Sequence, residues 1–143
     1  MSFAIIGLAL AAFVAVAQDD PVDQLAKDGW TFVALSDETR VYMKHTQPKA
    51  AGTVRKVWTA YDSGKIRERN GYTFLSVQSL GEYDCPAKAS RVLEEAFFAG
   101  GALKGERRDM NPAEPTPWQP HAEGSIGEIR YEFACDVPPP RAA

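Results

Sequence analysis

Gly81-Glu82-Tyr83-Asp84-Cys85 ends in one of only two cysteines in the chain, and the other, Cys135, lies fifty residues further on. If the two pair, everything between them becomes a closed loop tied across the domain. Whether they pair depends on the compartment, and the N-terminus bears on that. Met1 to Ala17 carry no charge, and the apolar run from Phe3 to Ala17 is broken only by Gly7. It ends Ala15-Val16-Ala17 ahead of Gln18-Asp19-Asp20. Small residues at Ala15 and Ala17 fit the signal-peptidase rule, so a leader over 1–17 is expected, cut between Ala17 and Gln18. The run departs from the rule in opening without Lys or Arg. It is short for a membrane span, which takes roughly twenty apolar residues; an uncleaved anchor is the alternative. No cysteine stands at the cleavage point, so lipid attachment there is not available. The expected address is periplasmic or secreted, with no stable membrane span after cleavage. In such a compartment two cysteines most simply form one disulfide, Cys85 to Cys135. A metal site is the weaker reading, since neither His45 nor His121 sits at a ligand spacing from them.

A chain of 143 residues with 45% hydrophobic content is long enough for one small packed domain. The net charge of -3 provides no basic footprint for nucleic acid. Lys104, Arg107 and Arg108 are the densest basic cluster, and Glu106 and Asp109 dilute it; it reads as a solvated loop.

Residues 18–29 read as a loose, Pro-broken lead-in, with a short turn at Leu25 to Lys27. Trp30 to Leu35 is aromatic and β-branched and predicts a strand with Trp30, Phe32 and Ala34 on one face. The turn Ser36 to Thr39 and a second strand, Arg40 to Lys44 with Val41 and Met43 inward, complete a hairpin. Val54 to Tyr61 alternates without one cleanly apolar and one polar face, which suits a central strand with both faces partly covered. Asp62 to Gly71 (DSGKIRERNG) reads as a long charged connection. Tyr72 to Leu80 is the next strand, and Glu82 to Cys85 continues it past Gly81, where a bulge is expected.

Two stretches stay open on residues alone. Ala89, Val92, Leu93, Ala96 and Phe97 fall at helical spacing, so periodicity favours a helix over Pro86 to Phe98. Ser125-Ile-Gly-Glu128 is a capping box that would open a helix through Cys135 with Ile126, Ile129 and Phe133 inward. Ile129, Tyr131, Phe133 and Cys135 also alternate as a strand would. Between them, Asn111 to Pro120 (NPAEPTPWQP) holds four prolines and must be irregular. Trp118 is expected to pin it against the core. Residues 137–143 form a Pro-rich tail.

No catalytic constellation stands out. His45 and His121 each lack a nearby nucleophile or acid and read as exposed loop residues. Glu94 and Glu95 are adjacent and would point apart on a strand. Gly100-Gly101 has neither the following Lys nor the context of a phosphate loop. No enzyme activity, cofactor or metal is expected.

The run Ser76 to Cys85 (SVQSLGEYDC) is followed in order by Arg91, Gly100-Gly101, Trp118, Pro120, Ser125 and Cys135. Taken together, these residues resemble the bacterial surface-adhesin protein E-like domain family, over about Trp30 to Cys135. The resemblance implies an α+β fold: a small antiparallel sheet with a C-terminal helix tethered to it by the Cys85–Cys135 bridge. It makes Arg91 to Phe98 a strand and Ser125 to Cys135 a helix, and the domain spans residues 30–136. The family takes its name from adhesins that bind host matrix and serum proteins. A protein-binding module of the cell envelope is therefore the leading expectation. Its partner would be an envelope or host protein, or a second copy joined through edge strands. A structural or stress-related envelope protein without a specific ligand is the alternative. This chain lacks a lipid-anchoring cysteine, which favours a soluble periplasmic protein.

Overall fold

A computed structural model describes residues 21–46 and 52–137. The expected leader with its Ala17–Gln18 junction, and the tail beyond Val137, lie outside these residues. The chain opens with helix α1, Pro21–Lys27. Proline suits a first helical position, because its missing N–H would have no helical partner there. From Pro21 to Lys27 the lead-in is thus a helix, where a loose stretch and a short turn were expected. It sets Leu25, 1% exposed, against Tyr42 and Ala60.

Six strands then follow in order across one antiparallel sheet: β1 Thr31–Ser36, β2 Thr39–His45, β3 Val54–Arg69, β4 Tyr72–Asp84, β5 Ala89–Phe98 and β6 Arg107–Asp109. Strand β7, Gln119–Pro120, pairs with β5 beside β6, and helix α2, Ile126–Ala134, completes the domain. This is the α+β architecture that the family resemblance implied. The segment with helical periodicity is β5. Its apolar residues reach both faces, and Ala96, Phe97 and Phe98 are buried in succession, so the alternation that marks a strand is absent. Register places a bulge between Leu80 and Gly81, as expected.

Three expectations are corrected. Asp62 to Gly71 is not a connection: β3 runs on to Arg69 and turns through Asn70-Gly71 alone. Both turn residues have positive φ (51° and 78°), the type I′ geometry that suits hairpins. Pairing with β2 ends at Ser63, so this part of the hairpin has less to bury and tolerates charge. Lys65 and Arg67 pair with Asp37 in the β1–β2 turn at 3.5 and 3.3 Å. Second, a bulge between Phe32 and Ala34 breaks the face expected in β1. Phe32 opposes Tyr42, whereas Ala34 opposes Val41 on the other face, and Trp30 stands outside the strand. Third, Trp118 is 39% exposed and lies against Arg91, whose guanidinium is 4.5 Å from the ring, rather than in the core.

The core has two layers because both sheet faces are covered. On one face Met43, Val57 and Tyr83 pack against Ala134 of α2, with Val33, Tyr131, Phe133 and Cys135 around them. On the other, α1 and the segment around Ala102 and Leu103 cover Tyr42 and Ala60. Asp62 and Ser76 are buried there and paired. Asp62 accepts from the Ala102 amide at 3.0 Å, and the Ser76 hydroxyl donates to the Gly100 carbonyl and accepts from the Leu103 amide.

Candidate functional site

Helix α2 opens with a variant of the expected capping box, its Glu128 reaching the amide one residue ahead of the cap. The Ser125 hydroxyl accepts from the Glu128 amide at 3.2 Å, and the Glu128 carboxylate reaches back to the Gly124 amide at 2.6 Å. Its far end is fastened to the sheet several times over. Cys135 and Cys85 form a disulfide with Cα atoms 5.7 Å apart, closing the fifty-residue loop. Arg55 of β3 donates to the Ala134 carbonyl at 3.1 Å and to Asp136 at 2.8 Å, satisfying a helix-end carbonyl with a cation. The His45 ring stacks on Phe133, 4.7 Å between centroids.

Of the apolar stripe expected from Ile126, Ile129 and Phe133, Phe133 packs on the core, but the seam is not wholly apolar. Ala134 is the helix's fully buried residue, and Arg130 also enters the seam. Arg130 donates to the Tyr61 hydroxyl at 2.6 Å and lies near Tyr83, which is hydrogen-bonded to Thr59. Burial pushes the Tyr61 and Tyr83 phenols above their ordinary pKa, with the Arg130 charge opposing. Both stay neutral, and Tyr61 holds the guanidinium through its hydroxyl oxygen.

The histidines are corrected as well. His45 ends β2 and is partly buried. His121 is packed between two tyrosines, with centroids 6.0 Å from Tyr83 and 5.6 Å from Tyr131. Burial first, and then the Arg130 charge, lower its pKa, with Glu128 opposing. A Cβ at Gly127 would come within 2.8 Å of its Nδ1, so α2 needs glycine there to approach the ring. Beside it opens a cleft of about 400 Å³, lined by Lys88, His121, Glu123, Glu128, Tyr131 and Glu132. Three glutamates make its lining acidic, but among the described residues no nucleophile is paired with His121. No group of three or more His, Cys, Asp or Glu that could hold a metal occurs among the described residues.

The two edges of the sheet are treated differently. Along β5 the Pro-rich stretch imitates a strand. The Met110 amide donates to the Glu95 carbonyl, Asn111 Oδ1 accepts from the Glu95 amide, and Thr116 exchanges two hydrogen bonds with Val92. β7 and the His121 amide, which donates to Lys88, continue the cover. At the opposite edge, no described strand pairs the outer side of β1. Phe32 and Leu35 on β1 are 50% and 65% exposed. A closed edge and an open, apolar-studded edge make β1 the candidate interface. Sequence reasoning placed both prolines and strand but not this contrast, which depends on where the loop lies. No helix among the described residues is long and apolar enough to cross a membrane.

A family model described as Surface-adhesin protein E matches residues 30–136. No curated protein matches the chain. Among solved structures, the chain is similar to protein E of Haemophilus influenzae in its crystal form II. The TM-score is 0.57 at 8% identity, covering 76% of this chain and 87% of that one. At that identity the likeness concerns fold alone.

Proposed function

The chain belongs to the surface-adhesin protein E family, and on that premise we propose that it is a non-enzymatic protein-binding module of the bacterial cell envelope. It takes an extended segment of a partner protein by strand addition at β1. In this reading a leader over 1–17 is removed after Ala17, and the mature protein is periplasmic or secreted, where the Cys85–Cys135 bridge persists. The observation that carries the reading is the asymmetry of the sheet edges. An open strand presents unpaired N–H and C=O groups that another chain can complete. Here the β5 edge is blocked by a proline-rich surrogate while no described strand covers the outer side of β1. Phe32 and Leu35 supply apolar contacts next to it.

The test is surface plasmon resonance against a panel of purified matrix and serum proteins, using the wild type and the double variant Phe32→Lys, Leu35→Lys. Leu35 is largely exposed and Phe32 half-exposed, its ring meeting Tyr42 edge-on at 5.6 Å, so a melting curve first checks that the variant folds; edge lysines oppose strand pairing. Saturable binding to a panel member that the variant loses supports strand addition. Binding that the variant retains in full sinks it, and a concentration-dependent dimer lost in the variant assigns the edge to a second copy.

A further inference from the structure

All three tryptophans lie on or beside the sheet face opposite α2, and one of them is set in a polar depression that the strand-addition reading leaves unused. Register aligns Lys44, Trp58, Leu80 and Glu94 in one row across β2 to β5. The next row, with Tyr42 and Ala60, is covered by α1 and the Ala102–Leu103 segment. The Trp58 row is less covered: Trp58 and Leu80 are partly exposed and Glu94 is exposed. Lys44 is drawn aside, donating to the Asp28 carbonyl at 2.9 Å and lying 5.9 Å from the Trp30 ring. Beside Trp58 is a depression of about 100 Å³ whose wall includes Gln78, Glu94, Arg107, Asp109 and Asn111.

We propose that this depression, with the Trp58 indole beside the Gln78, Glu94 and Asn111 side chains, is a subsite for one pyranose ring of a neutral saccharide. A sugar ring has an apolar C–H face and a rim of hydroxyls that both donate and accept. Its complement is an aromatic plane flanked by amides and carboxylates. Those groups are present and spare. The structure gives the Gln78 amide and the Glu94 carboxylate no hydrogen-bond or ion-pair partner among the described residues. Asn111 uses only its oxygen, on the Glu95 amide. Arg107 and Asp109 are bonded to each other at 2.9 Å, leaving further donors and one carboxylate oxygen. Charge selects against the rivals. Glu94 and Asp109 repel an anion, while Arg107 and the single aromatic ring make a poor cage for a cation. The small volume suits one ring rather than an extended peptide.

The test is titration of the oxidised protein with the soluble trisaccharides of N-acetylglucosamine, α-1,4-linked glucose and β-1,4-linked glucose. It is read by saturation transfer to the sugar protons and by the indole N–H resonances. A saturable shift of the Trp58 indole with at least one of them, without movement of Trp30, is expected. Trp58→Ala abolishes it, and Glu94→Ala and Gln78→Ala each weaken it about tenfold, equivalent to one good hydrogen bond. Glu94 is exposed, so its variant folds even if the tryptophan variant does not. Absence of saturable binding by all three sugars overturns the proposal, as does binding unchanged in Glu94→Ala and Gln78→Ala. An equal shift with N-acetyl-lysine amide overturns it in favour of an amine site.

Discussion

His121 faces Tyr83 of β4, the Lys88 turn, and Tyr131, Glu128 and Arg130 of α2. With its pKa lowered in the fold, the pH dependence has a definite sign. Above the unfolded value of about 6.5, the ring is neutral in both states and costs nothing. Between that value and the lowered folded one, the unfolded chain binds a proton that the folded chain refuses, and stability falls. Below the folded value the loss levels off. Urea unfolding from pH 7.5 down to pH 5 should show this decline, with a slope below the one-proton limit of about 1.4 kcal/mol per pH unit because the ring is partly solvated. His121→Gln should flatten the curve; an unchanged slope removes His121 as the cause. Little of this was legible in the sequence. His121 follows Pro120 in a loop-like stretch, and its burial comes from α2, whose Gly127 leaves room for the ring. Arg130 was missed for a related reason: a cation on an inward face has no apolar signature, and its stabilising partner Tyr61 lies sixty-nine residues away.

At the scale of elements, the Pro-rich stretch acts as an edge strand without being one. Prolines cannot donate, so ahead of the short β7 pairing the stretch serves β5 through the amides of Met110 and Thr116 and the side-chain oxygens of Asn111 and Thr116. The double variant Asn111→Ala, Thr116→Val should leave the Glu95 and Val92 amides without acceptors. We expect a cost of about 1 kcal/mol each and markedly faster hydrogen exchange at those two amides. Unchanged exchange would mean the loop is not what closes this edge. Strands with a clear pleat, β2 and most of β4, could be read from the sequence. β5 needed the family pattern, because a bulge between Leu80 and Gly81 and burial on both faces erase its alternation. The outer β3–β4 hairpin was misread as a loop because it lies beyond the reach of β2 and is held partly by ion pairs to Asp37.

For the molecule as a whole, the bridge is a large share of the stability margin. Closing a fifty-residue loop lowers the entropy of the unfolded chain by an equivalent of roughly 4 kcal/mol. Domains of this size have about 5–15 kcal/mol in total. Cys135→Ser, or strong reductant, should therefore lower the Tm by about 10 °C or more. An unchanged melting curve would remove the claim. Intact mass of the same exported sample checks the address: a chain beginning at Gln18, with no free thiol before reduction, is expected. Retained residues 1–17 or free thiols would count against export. The bridge was legible from cysteine number and the apolar N-terminus alone, whereas its task of fastening α2 beside Arg55 and His45 was not.

The bridge also sets the path of tension through the protein. A pull between the two ends enters at β1, passes strand by strand to β4, and leaves through the sulfur–sulfur bond at Cys85 and Cys135. The loop those cysteines enclose, with β5, β6, β7 and α2, lies outside that path and carries no direct load. Torn open from its ends, the oxidised domain would withhold the contour length of fifty residues, on the order of 170 Å. Reduction would release it as one added step.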